Sequence, residues 1–141
     1  RKYRKGSIQY GTPVGIKEVQ AFKDRVDEIG RHLKRIIAEA IADDKTIHVL
    51  GASTKGNFIL QYYELDSSCI SMASERSEEK FGRFTVGTGI KIVNEEESRI
   101  AEPDYYLILP WAFTQEMISR EAEHAKRGGK FIVPFPELRI L

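Results

Sequence analysis

The stretch Thr46-Ile47-His48-Val49-Leu50-Gly51-Ala52-Ser53-Thr54-Lys55-Gly56-Asn57 sets the fold of this chain. Its first five residues are mostly apolar and make a short strand, Gly51 stops it, and helical spacing resumes from Asn57 to Leu65 through Phe58, Ile59 and Tyr62. A strand that runs through a tight turn into a helix is the unit of open parallel sheets, and the turn then lies at the carboxyl edge, where ligands bind. Small residues let a ligand approach the backbone, Ser53 and Thr54 offer hydroxyls, Lys55 offers a mobile cation, and the amides of the helix start face an arriving anion. Ser53, Thr54, Lys55, Gly56 and Asn57 are therefore candidate ligand residues for a phosphate or a sugar hydroxyl. The spacing is not G-x-G-x-x-G, and Asn57 stands where a Walker loop carries lysine, so conventional P-loop NTPase activity is not expected. The same glycines also suit a turn that only packs helix against strand.

Downstream, Cys69-Ile70-Ser71-Met72-Ala73 reads as a second strand ending at Ser74, Glu75 and Arg76, and Ile90-Lys91-Ile92-Val93 as a third. Asn94 before Glu95, Glu96 and Glu97 marks a helix start, with acids near the positive end of its dipole. Tyr105-Tyr106-Leu107-Ile108-Leu109 has the uniform apolarity of a central strand covered on both faces. A helix over Phe113 to Lys126 stops at Gly128-Gly129, and Lys130-Phe131-Ile132-Val133 is a last strand closed by Pro134 and Pro136. Short turns between alternating strands and helices imply an α/β fold with a parallel sheet flanked by helices.

Three further features bear on ligands. Glu75 follows Gly51 at close to the roughly 20-residue spacing at which dinucleotide folds set an acid on a ribose; it equally suits an exposed loop acid. Arg76, Lys80 and Arg83 are candidates for a phosphate clamp, although such runs usually form solvated faces. Pro110-Trp111-Ala112-Phe113 follows the central strand, and Trp111 offers a flat surface to a sugar or base, or else caps the core or faces another domain. The loop Thr85-Val86-Gly87-Thr88-Gly89 makes Thr88 a candidate for the same edge. His48 reads as a satisfied structural residue and His124 as a solvated one, and Cys69 has no visible partner to activate it as a nucleophile.

Upstream, Val19, Phe22, Val26, Ile29, Leu33, Ile36 and Ala40 recur at helical steps across Lys17 to Asp43. At about 1.5 Å per residue this helix is roughly 40 Å long, more than a small sheet covers. Its stripe either packs on its own sheet or also meets another domain or a second copy of the chain. Residues 1–15 read as a linker or extended lead-in whose Arg1, Lys2, Arg4 and Lys5 are solvated rather than bound to phosphate. The chain opens on Arg1, so a longer protein is expected.

The 141 residues suit one domain, and 41% hydrophobic with 30% charged residues gives a core-forming chain. A net charge of +1 supplies no field to recruit nucleic acid or an anionic membrane. One cysteine and three scattered histidines provide neither a disulfide nor a metal-ligand pattern, and no apolar run approaches the ~20 residues of a membrane span. A cytoplasmic protein is expected.

Six blocks in series carry a resemblance: Gly51 to Asn57, Glu79-Lys80-Phe81-Gly82-Arg83, Gly87-Thr88-Gly89-Ile90, Pro103-Asp104-Tyr105-Tyr106-Leu107, Leu109-Pro110-Trp111, and Gly128-Gly129-Lys130-Phe131-Ile132-Val133-Pro134. Over Lys17 to Leu141 the chain resembles the C-terminal domain of bacterial sugar C-methyltransferases that use S-adenosylmethionine. The resemblance implies a Rossmann-like domain over 16–141, holding a nucleotide-linked sugar against preceding domains that carry zinc and S-adenosylmethionine. Glu75-Arg76 replaces the Asp-Arg pair frequent in that family, and Val86 replaces a proline, so the contact at Glu75 and the substrate are open to change.

The reading that follows is a non-catalytic, substrate-facing domain. Ser53, Thr54, Lys55, Gly56, Asn57, Glu75, Thr88 and Trp111 bind substrate, no catalytic or metal-ligating residue lies in this chain, and the isolated chain is inactive in methyl transfer. Alternatives are a stand-alone nucleotide- or dinucleotide-binding module using Gly51 and Glu75, or an architectural domain that assembles through Phe22 and Leu33 of the long helix.

Overall fold

A computed structural model of the chain describes residues 15–141, so of the lead-in expected over 1–15 only Gly15 falls within the described residues. Helix α1 spans Ile16–Ala42, as the apolar period requires, and opens on Gly15, whose N–H is capped by the Glu18 carboxylate. Only its later turns meet the sheet, burying Gly30, Leu33, Ile37 and Ala40. At Gly30 the missing side chain makes room for the Tyr63 ring, whose hydroxyl donates to the Val26 carbonyl at 2.6 Å. Burial pushes that phenol up to about 12. The earlier turns leave Ile16 91%, Val19 54% and Phe22 61% exposed.

Six strands follow: β1 (Ile47–Leu50), β2 (Met72–Glu75), β3 (Ile92–Asn94), β4 (Tyr105–Ile108), β5 (Lys130–Val133) and β6 (Arg139–Ile140). They pair in the order β3-β2-β1-β4-β5-β6, parallel throughout except for the antiparallel β5–β6 pair. The register aligns Val49 with Leu107 and Leu107 with Ile132, and α1 together with α2 (Thr54–Tyr62) covers that face. Alternate residues Leu50, Tyr106, Ile108, Phe131 and Val133 face the other side. There they meet Met117 and Ile118 of α4 (Thr114–Arg120). Helix α3 (Glu95–Ile100) covers the same side, with Ser98 Oγ 2.8 Å from His48 Nδ1 and 3.0 Å from Tyr106 Oη. The expected mixed α/β architecture with a long N-terminal helix is present. Because α2 leaves β1 for one face and α4 leaves β4 for the other, the ends of these adjacent strands flank a crevice.

Several local expectations are corrected. The second strand pairs three residues later than Cys69–Ala73, since Ile70 is buried on the approach and the ladder continues into polar Ser74 and Glu75. The α2 helix begins at Thr54 rather than Asn57, because Ser53 Oγ accepts the Gly56 N–H at 3.0 Å and sets an earlier cap. The helix expected over Phe113 to Lys126 breaks at Glu121 into α4 and α5 (Ala122–Lys126), where the Glu121 carboxylate turns inward to Arg99. The antiparallel β6 was not expected. His124 is buried, not solvated: its Nε2 lies 2.9 Å from the Lys130 carbonyl oxygen, and Gly129 has no side chain to block the ring. No described helix is long and apolar enough to cross a membrane.

Candidate functional site

The crevice is built from two exits. After β1 the backbone turns at Gly51 with φ +87°, a conformation that L side chains rarely adopt. A Cβ there would also lie 2.8 Å from Pro110 Cγ and 3.0 Å from Met117 Cε. The Ala52 N–H donates to Glu75 Oε2 at 3.0 Å, and Lys80 Nζ donates to the Ala52 carbonyl at 2.9 Å. Gly56 then presses α2 onto Leu109, whose Cδ1 would be 2.8 Å from an added Cβ. After β4 the chain makes a tight 3-10 turn over Trp111–Phe113, fixed by Thr114 Oγ1 donating to the Trp111 carbonyl at 2.6 Å.

Between the exits lies an open cavity of about 260 Å³, lined by Ser53, Lys55, Pro110, Trp111, Ala112 and Phe113. One side of the Trp111 indole is backed by Phe135, ring centroids 5.3 Å apart. The wall is largely apolar, with one hydroxyl and one ammonium as its polar features, a composition suited to a ring carrying polar substituents.

The structure thus brings Ser53, Lys55 and Trp111 to one cavity. Thr54 is exposed beside it, Gly56 lies beneath it as packing, and Asn57 does not line it, although its buried Oδ1 has no hydrogen-bond partner. Glu75 holds the turn: besides Ala52, the Arg76 and Ser77 amides donate to its Oε1 at 2.9 and 3.1 Å. Both carboxylate oxygens are therefore engaged by the protein's own backbone, which does not fit a ribose contact.

Thr88 is placed elsewhere, a correction to the expectation that its loop shares this edge. Its backbone carbonyl accepts the Ser67 N–H at 3.0 Å, and Ser67 precedes β2, so this loop sits at the amino edge of the parallel sheet. The Thr88 side chain is buried against Thr85 Oγ1 at 2.6 Å.

Sequence reasoning missed a group on the other face of the sheet. Arg99 contacts Glu95 at 2.8 Å and Glu121 at 2.9 Å, Arg120 also pairs with Glu95, and a cavity of about 540 Å³ lies beside them against Tyr106 and His124. Glu95 and Arg99 share α3 at i,i+4 spacing, but Arg120 and Glu121 come from a separate element, so no local pattern marks the whole group. The charges are paired with one another, which makes this a clamp between α3 and the α4–α5 bend. Beneath it, burial and the nearby His124 bring the His48 imidazole down to about 4, so it is neutral. Burial pushes the Cys69 thiol up, and Sγ lies 3.3 Å from the Asp66 carbonyl oxygen, which leaves it no thiolate character.

Among the described residues no group of three or more His, Cys, Asp or Glu side chains is placed to hold a metal ion.

Comparison with known proteins places this geometry. Residues 13–136 match the family model described as the C-methyltransferase C-terminal domain. The C-methyltransferase NovU of Streptomyces niveus is 35% identical over 120 residues, covering 85% of this chain and 29% of that protein. The chain therefore spans less than a third of the length of the curated relative it matches.

Proposed function

The chain belongs to the C-methyltransferase C-terminal domain family, and on that premise we propose that it is the non-catalytic, substrate-facing part of an enzyme that methylates a carbon of a nucleotide-linked sugar. The observation that supports this reading is the cavity between the β1 and β4 exits. Trp111 offers its flat face to a sugar or base ring, and Ser53 and Lys55 orient a hydroxyl or a phosphate. Among the described residues Lys55 is the one ionisable side chain lining the cavity, so no acid and base from them meet there to move a proton between them. General acid–base chemistry belongs to the rest of the enzyme, as do zinc and S-adenosylmethionine, which supplies the methyl group.

The decisive experiment is calorimetric titration with nucleoside diphosphate sugars, NAD and NADP, for wild type and Trp111→Ala. Binding of the sugar nucleotides that falls about tenfold or more in the variant supports the reading. Tight binding of dinucleotides alone overturns it in favour of a stand-alone dinucleotide module, which the engaged Glu75 already disfavours. Methyl transfer by the 141-residue chain alone would also refute the non-catalytic assignment.

A second element of the proposal concerns α1. Its exposed Ile16, Val19 and Phe22 are assigned to contact with the preceding part of the same protein. Leu33, expected earlier at an assembly surface, is fully buried, so an assembly test belongs to Val19 and Phe22. Phe22→Glu should loosen the association of this domain with the remainder, read as increased protease cleavage between them. An unchanged cleavage pattern argues against this contact.

A further inference from the structure

The first turns of α1 and the Trp111 cavity stand at the same edge of the sheet. A short link after Ala42 joins the end of α1 to the start of β1, so α1 runs against β1 and its first residues point past the carboxyl edge. Val26 is the first of its residues packed on the core, and from there back to Ile16 the helix extends about 15 Å.

Beside Val26 an open groove of about 260 Å³ lies between α1 and α2, lined by Val26, Phe58, Ile59, Tyr62, Tyr63 and Phe135. Among the described residues its only polar side-chain atoms are two phenol oxygens, and both are engaged within the fold. Tyr62 Oη donates to Asp27 Oδ1 at 2.6 Å, and Tyr63 Oη to the Val26 carbonyl. A small-molecule pocket keeps a few polar groups to orient its guest, and this groove has none to spare. Its rim is apolar as well, with Phe58 68% exposed, and Phe22 and Val19 extend the stripe one and two turns before Val26. Aromatic, uncharged surface of this kind suits the core of a protein interface.

The groove and the ligand cavity share a wall. Phe135, just past β5, stacks on Tyr63 with ring centroids 6.3 Å apart and backs Trp111 at 5.3 Å. Whatever fills the groove therefore fixes the ring against which the Trp111 indole rests.

We propose that this groove seats the preceding part of the same protein, which thereby stands over the carboxyl edge and closes the open side of the Trp111 cavity. This rests on the proposed function, in which the chain is one part of a longer enzyme; NovU is matched over 29% of its length. Residues ahead of Gly15 join the fold at the projecting end of α1, beside the groove. An occupant attached at that point meets the groove at an effective concentration on the order of millimolar, which favours it over a second copy of the chain. Docking and ligand binding then strengthen each other by the same factor.

The test applies hydroxyl-radical footprinting to the intact protein that carries this chain. Phe58 should oxidise several-fold more slowly than Phe84, although this domain by itself leaves them 68% and 61% exposed and Phe84 lies towards the amino edge. Equal rates overturn the docking. Protection of Phe58 that disappears on dilution, together with a fall in sedimenting mass, gives the groove to a second copy and overturns it equally. Phe58→Glu, at an exposed position outside the ligand cavity, should speed protease cleavage between this domain and the remainder and weaken a nucleoside diphosphate sugar by about tenfold. Ile100→Glu, 73% exposed on the opposite face, should change neither. Looser domains with unchanged sugar-nucleotide affinity overturn the closure of the cavity. If Trp111→Ala leaves that affinity unchanged while Phe58 stays protected, the groove stands and the Trp111 reading falls.

Discussion

The turn from Gly51 to Asn57 and the loop from Thr85 to Gly89 are made of the same kinds of residue, glycines with positive φ among hydroxyl side chains. The first follows a parallel strand and the second leads towards one, so they lie at opposite edges of the sheet. At the first, polar groups are left over: Lys55 is exposed, Asn57 Oδ1 is unpaired, and a cavity opens alongside. At the second, the groups close on one another. Thr85 Oγ1 meets Thr88 Oγ1 and accepts the Ile90 N–H at 2.9 Å, and Gln61 Nε2 donates to the Val86 carbonyl at 2.7 Å. Residue type proposes a binding turn; strand polarity decides whether it has anything left to bind with.

The contrast breaks most visibly at the glycines. Gly51→Ala combines positive-φ strain with a clash against Pro110 and Met117, and should cost about 3 kcal/mol or more in urea unfolding. Gly89→Ala, also at positive φ but with only Ser67 Oγ at 3.8 Å, should cost about 1 kcal/mol. Equal losses would mean that packing does not distinguish the two edges. Acid probes what lies between them. His48 is neutral when folded down to about pH 4 but titrates near 6.5 when unfolded, so the unfolded state binds the extra proton in that window. Stability should therefore hold above pH 6.5 and fall by roughly 3 kcal/mol towards pH 4, with both turns intact at the start. A flat profile over that range contradicts the buried neutral imidazole.

Thr85→Val strands the Ile90 amide and should lose about 2 kcal/mol, whereas Thr54→Val on the exposed first turn of α2 should change stability by less than about 0.5 kcal/mol. Asn57→Ala sharpens the comparison at its smallest scale. Deleting a buried acceptor that has no partner should leave Tm nearly unchanged, and a marked drop would show that Asn57 is satisfied after all.

The regular elements were legible where one force acts alone. The apolar stripe located α1, the Asn94 cap with its three acids located α3, and the β-rich run at Lys130 located β5. At β2 the apolar residues and the paired residues part company, since Ile70 fills the core before the ladder begins and Ser74 and Glu75 end it at the polar edge. His124 looked solvated among its charged neighbours because nothing in the local pattern shows that Gly129 clears a space for its ring. Of the candidate site, Ser53, Lys55 and Trp111 were readable from their places just past strand ends. The pairing of Arg99 with Glu121 on the other face was not, because their meeting depends on a helix that crosses from β4 to β5 there.

Helix α1 has the mechanics of a cantilever. Its later turns are clamped to the sheet, and the Tyr63 ring in the Gly30 notch acts as the fulcrum. The Ile16–Phe22 end overhangs that notch, and Tyr63, which fills it, caps the C-terminal end of α2, the helix that starts just after the Gly51 turn.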